Sequence, residues 1–110
     1  MKDHRLIDER SLAFCRLVAE KLRADPTLVQ HARGNLERWL PDCSKRTRPA
    51  LIEWRALIDG PMDELLRVLT SPDERGAQLR QSSPFAGILT PEERAVILRE
   101  FQIRDRRGQL

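Results

Sequence analysis

Leu79-Arg80-Gln81-Ser82-Ser83-Pro84-Phe85-Ala86-Gly87-Ile88-Leu89 lies between two nearly identical helix starts, Ser71-Pro72-Asp73-Glu74-Arg75 and Thr90-Pro91-Glu92-Glu93-Arg94. In each start a hydroxyl residue can cap a helix and Pro fits the first turn. The Glu three residues after the cap can reach back to it. The stretch between them has neither the helical nor the strand period. It carries a Phe, an Ile and two Leu, broken by Pro84 and Gly87. A connection that apolar must bury itself, either in its own core or against a partner. Two arrangements satisfy that requirement. In one, Phe85 and Leu89 plug the domain's own core. In the other, Arg80, Gln81, Ser82 and Ser83 face outward as a polar rim, with Pro84 and Phe85 completing a partner-binding surface.

Working outward, the apolar spacing predicts six helices and no strand. Leu12, Cys15, Val18, Ala19 and Leu22 form one stripe of a helix over about Asp8 to Ala24. Asp25-Pro26 opens a second helix, in which Leu28, Val29, Ala32, Leu36, Trp39 and Leu40 make the buried face until Pro41 ends it. Gly34 is either a weak point in that helix or a place where another helix approaches. Residues 41–48 read as a polar, basic loop. Pro49 starts a third helix with Ala50, Leu51, Trp54, Leu57 and Ile58 inward, and Gly60 stops it. Pro61 opens a short fourth helix, Ser71 a fifth running to about Gln81, and Thr90 a sixth running to about Ile103. Trp39 and Trp54 both read as core anchors. The expectation is one all-α domain over 1–110, a compact bundle of five to six short helices, with 1–7 and 104–110 as frayed tails.

The composition fits a globular protein: 40% apolar, 34% charged, mean hydropathy −0.54. The longest uncharged run, Gln81 to Pro91, is too short and too polar to span a bilayer. Met1-Lys2-Asp3-His4-Arg5 has no apolar segment behind it of the kind a secretory signal needs, which implies a cytoplasmic protein. Cys15 and Cys43 lack the spacing of a metal site or redox pair and read as free thiols, with a disulfide between them left open. Net charge is +3, carried by 17 Arg against 3 Lys. Arg suits ion-pair networks and polyanions, although genomic base composition also favours it. Residues 1–55 hold 12 basic and 8 acidic residues and residues 56–110 hold 8 and 9, a milder asymmetry than a dedicated DNA-binding domain shows.

Catalytic chemistry finds little to work with. The only histidines are His4 and His31, and a Cys15–His31 pair would set the thiol among Leu12, Val18 and Leu22, which disfavours the thiolate. The carboxylate pairs Asp63-Glu64, Asp73-Glu74 and Glu92-Glu93 each fall in the first turn of an expected helix, where the helix dipole accounts for them. The five Gly are isolated and form no phosphate loop. The residues therefore point to a non-enzyme, with no catalytic residue, metal or cofactor assigned. DNA binding has the loop cations Lys45, Arg46 and Arg48 and the tail cations Arg104, Arg106 and Arg107 as phosphate contacts. The connections at 41–48 and 82–90 are too long for a helix-turn-helix. The helix after the tight turn at Gly60-Pro61 opens with Asp63 and Glu64, the wrong charge to face phosphates.

Arg10-Ser11-Leu12-Ala13, Lys21-Leu22-Arg23-Ala24-Asp25-Pro26, Asn35-Leu36-Glu37-Arg38-Trp39 and Leu79 to Gly87 together resemble small bacterial proteins encoded beside toxin genes, including nucleotidyltransferase-like toxins. The resemblance spans roughly residues 8–101 and carries over no functional residue. It implies an antitoxin-like protein that binds a co-encoded partner, with DNA binding as the alternative and homodimerisation open.

Overall fold

The computed structural model describes the backbone of residues 4–108 and the side chains of residues 8–103. Among them are six α-helices, one 3₁₀ turn and no strand, the all-α architecture that the spacing predicts. No helix among the described residues is long and apolar enough to cross a membrane.

α1 spans His4–Ala24, starting one turn earlier than the apolar stripe alone suggests. Val18, Ala19 and Leu22 on its inner face are almost completely buried, and the helix packs on the fourth, fifth and sixth helices. Asp25 acts as the expected cap, accepting from the Thr27 amide at 3.2 Å. The capped element is a 3₁₀ turn, Pro26–Leu28, that leads directly into α2, Val29–Trp39. α3, Arg48–Asp59, ends at Gly60, and α4 covers Met62–Thr70. At the centre lies Trp54, fully buried, with Leu22, Leu36, Leu65 and Leu69 at 0–1% exposure.

The two look-alike helix starts behave differently. At the second, the reciprocal box forms: the Glu93 amide donates to Thr90 Oγ1 at 3.1 Å and the Thr90 amide to Glu93 Oε1 at 2.7 Å. The last helix, α6, then runs Pro91–Gly108, past the expected end at Ile103. At the first, Asp73 caps in place of Ser71. Its carboxylate accepts from the Gly76 amide at 2.7 Å, and α5 is only Glu74–Arg80. The residue two after the hydroxyl decides the difference. Asp73 is short enough to cap in its own right, whereas Glu92 is not. Ser71 instead closes the C-terminus of α4 with an extended backbone.

Two further expectations change. Gly34 meets no neighbouring helix: a Cβ there would find nothing closer than the tip of Arg38, at 3.9 Å. Trp39 packs against the core but is only half-buried, whereas Trp54 is fully buried. It sits in the last turn of α2 at the edge of the core, where it borders an open groove together with Cys43, Leu51 and Ser82.

Candidate functional site

The 81–90 connection is fixed from three sides. The Trp54 indole N–H donates to the Leu79 carbonyl at 2.8 Å. The Phe85 ring meets Trp54 edge-on, with centroids 5.6 Å apart at 81°. From α2, the buried amide of Asn35 donates to the carbonyls of Pro84 and Ala86. Lys21 on α1 holds the far end, donating to the Ile88 carbonyl at 2.8 Å and pairing with Glu93 at 2.7 Å. Gly87 has φ +89°, and a Cβ there would stand 2.7 Å from His31 Nε2. Only glycine suits both conditions.

This anchoring splits the expected partner surface. Gln81 is exposed, and Ser82 and Ser83 are half-buried. Pro84 and Phe85 are buried, with Phe85 at 4% exposure as a core plug. Arg80 does not face outward. It is 6% exposed and donates through Nη1 to the Ser71 carbonyl at 2.6 Å. Gly76 makes room for it, since a Cβ there would lie 2.6 Å from that same carbonyl and 3.0 Å from Arg80 Nη1. The outward set therefore reduces to Gln81, Ser82 and Ser83.

These three residues meet the other candidate region. An open groove of about 690 Å³ runs between them and the segment 38–47. Trp39, Cys43 and Leu51 form its apolar floor, while Arg38, Asp42, Ser44 and Thr47 line the opposite rim. The rim is ordered locally. Ser44 Oγ bonds to Thr47 Oγ1 at 3.0 Å and accepts from the Thr47 amide at 3.1 Å. Arg38 is tethered through Nη2 to the Asn35 side-chain oxygen. Asn35 thus joins the groove wall to the loop, a role that the sequence expectations miss. The visible signal is a polar residue on the apolar stripe of α2, directly before Leu36.

Lys45, Arg46 and Arg48 are exposed on the 41–48 segment and take part in no ion pair among the described residues. Arg104, Arg106 and Arg107 lie outside the described side chains. The acidic pairs sit at helix starts. Asp63 and Glu64 occupy the first turn of α4, with Glu64 bonded to Arg67 at 2.5 and 3.1 Å. Asp73 caps α5, and Glu93 caps α6. Both cysteines are free thiols, Cys15 buried and Cys43 half-buried. Burial pushes the Cys15 thiol up to about 11, the nearby Arg80 charge only partly opposing it. At neutral pH it is therefore a thiol, a poor nucleophile. Among the described residues no three His, Cys, Asp or Glu side chains gather as metal ligands would.

Comparison of the chain with protein-family models, with curated proteins and with solved structures finds no match.

Proposed function

We propose that this chain is a non-enzymatic helical interaction protein that binds a protein partner in the groove between Trp39 and Gln81–Ser83. One observation carries the reading: a half-buried Trp floors an open groove whose rims are hydrogen-bonding side chains. Aromatic anchors ringed by polar groups dominate binding energy at protein interfaces. The two rims come from segments some forty residues apart in sequence, yet both are held by Asn35, so the groove is preformed. Preformation lowers the ordering cost of binding. The resemblance to proteins encoded beside toxin genes makes the neighbouring gene's product the first partner to test, in an antitoxin-like or regulatory pairing.

The experiment is titration of the neighbouring gene's product into this protein by calorimetry, with Trp39 emission followed in parallel. Binding should shift Trp39 emission. Trp39→Ala should weaken the complex at least about tenfold, as expected of a central aromatic anchor. An unchanged affinity for Trp39→Ala in a complex that forms would remove the groove from consideration.

A second reading draws on the exposed Lys45, Arg46 and Arg48 beside the same groove. It makes the chain a DNA-binding regulator. DNA affinity falling steeply with salt, and with a shallower slope in the Lys45→Gln/Arg46→Gln double variant, would favour it over protein binding.

A further inference from the structure

Arg80 is a buried cation in no direct ion pair among the described residues: the Asp73 carboxylate is near enough to feel its charge but is bonded to the Gly76 amide. Its Nη1 binds the neutral Ser71 carbonyl, and its Nε is buried with no hydrogen-bond partner. The ion pairs among the described residues are Lys21–Glu93, Arg33–Asp59, Arg67–Glu64 and Arg75–Glu53, none of which includes it. The Cys15 thiol lies within reach of the Arg80 charge but stays protonated at neutral pH, because burial raises it to about 11. It supplies no negative charge. Leaving a guanidinium buried, unpaired and only partly hydrogen-bonded is costly. Native structures keep such groups where something else offsets the cost, and a bound ligand or ion is one such reason.

Arg80 also forms one wall of a half-open cavity of about 220 Å³ lined by α1, α6 and the 83–89 segment. It shares only Ser83 with the Trp39 groove. The cavity is two-faced. Arg80, Arg94, Ser11 and Ser83 supply positive charge and hydroxyls, and no Asp or Glu among the described residues lines it. Arg94 is held at the mouth, its guanidinium carbon 5.1 Å from the centre of the Phe14 ring. Phe14, Val18, Phe85 and Leu89 supply the other, apolar face.

We propose that this cavity binds a small organic carboxylate, with its charged end on Arg80 and its hydrocarbon body against Phe14, Val18, Phe85 and Leu89. Two cations and no acid select an anion. The apolar wall selects against a purely inorganic one, which would leave that face unfilled. At about 30 Å³ per water-sized group, the volume admits roughly seven non-hydrogen atoms. Isovalerate has that size and is the probe of choice. Its neutral counterpart, isopentanol, tests the charge. Inorganic phosphate tests the apolar body.

Each probe is titrated into the full chain at neutral pH and constant ionic strength, followed by calorimetry and by amide chemical shifts. Isovalerate should saturate with a dissociation constant on the order of 1 mM and shift the amides of Ser11, Ser83 and Gly87. Isopentanol and phosphate should each bind about tenfold more weakly or worse. Arg80→Met should abolish isovalerate binding. Because that variant also loses the bond to Ser71, Ser11→Phe serves as the second test: it fills the cavity and leaves every contact of Arg80 in place. Loss of binding in Ser11→Phe, with an unchanged circular dichroism spectrum, supports the site. Absence of saturation by isovalerate overturns it, as does equal binding of phosphate, or undiminished binding by Ser11→Phe.

Discussion

The Asn35 side-chain amide donates to two carbonyl oxygens of the 81–90 connection, Pro84 at 2.8 Å and Ala86 at 3.0 Å. Those carbonyls flank Phe85, so a single α2 residue sets how deep the ring sits against Trp54. Asn35 is itself 3% exposed, and its oxygen is occupied by Arg38. Both ends of its amide are therefore used, which is the condition for burying it without penalty.

Replacing Asn35 by Leu should cost about 2–4 kcal/mol, because the buried Pro84 carbonyl loses its donor, at about 1–3 kcal/mol, and the part-buried Ala86 carbonyl loses its donor at a smaller cost. Asn35→Asp should cost at least as much, since it sets an acceptor against acceptors. Urea unfolding measures both. If Asn35→Leu is neutral, water replaces the amide and the anchor is not specific.

The two Trp residues should report different environments. Trp54 is fully buried and Trp39 is half-buried. Emission of the Trp39→Phe variant, which shows Trp54 alone, should lie at shorter wavelength than that of Trp54→Phe. Trp54→Ala should cost about 3–5 kcal/mol as a fully buried aromatic, and Trp39→Ala clearly less. Identical emission from the two single-Trp variants would contradict the exposure of Trp39.

The range of each interaction decides whether the sequence reveals it. Helix positions and the core stripe of α1 are encoded within a turn or two, and they are legible. So is the Thr90–Glu93 box, which needs only four residues. The anchoring of the loop is not, because Asn35 lies 49 and 51 residues from its acceptors. Arg80 resembles an ordinary helix-end cation, and its burial depends on the missing Cβ of Gly76. Trp39 falls on the apolar stripe of α2, but periodicity identifies a face and not whether anything covers it. The groove itself joins two regions that the sequence offers as separate candidates, and only the tertiary path of the chain brings them together.

The caps differ in a measurable way. Asp73→Ala should destabilise by about 1 kcal/mol, the usual value for a lost N-cap, and Thr90→Ala by a similar amount. Ser71→Ala should cost less than either, since its hydroxyl does not cap α5 directly. It only helps the Gly76 amide hold the Asp73 carboxyl below its ordinary value. Ser71→Ala matching Asp73→Ala in urea melts would restore Ser71 as the cap.

Two glycines should respond in opposite directions. At Gly34 a Cβ meets only ordinary space, so Gly34→Ala should stabilise by about 0.5–1 kcal/mol through higher helix propensity. At Gly87 the positive φ and the His31 ring both oppose a side chain, so Gly87→Ala should destabilise by about 1 kcal/mol or more. A Gly87→Ala/His31→Ala double variant should recover the steric part and keep the conformational part. Full recovery would mean that φ at Gly87 relaxes freely.

Acid should weaken the link between α1, the loop and α6. The Glu93 carboxyl is held below its ordinary value of 4.5, first by the Lys21 side chain and then by the Thr90 amide. A carboxyl with a lower pKa in the folded state binds fewer protons there than when unfolded. Its contribution is therefore complete above the ordinary carboxylate value and is lost as pH falls through the folded one. Glu64 and Asp73 are lowered too, the first mainly by Arg67 and the second mainly by the Gly76 amide, and they add to the same acid-side slope. Glu93→Gln keeps an acceptor for Thr90 and Lys21 but removes the charge. It should be less stable than the natural protein at pH 7, and the two should converge as pH falls past the ordinary carboxylate value and through the lowered folded one, where the natural Glu93 becomes neutral. A stability gap that stays constant from pH 7 into that range would show that Glu93 acts by shape and hydrogen bonding alone, with no part played by its charge on Lys21.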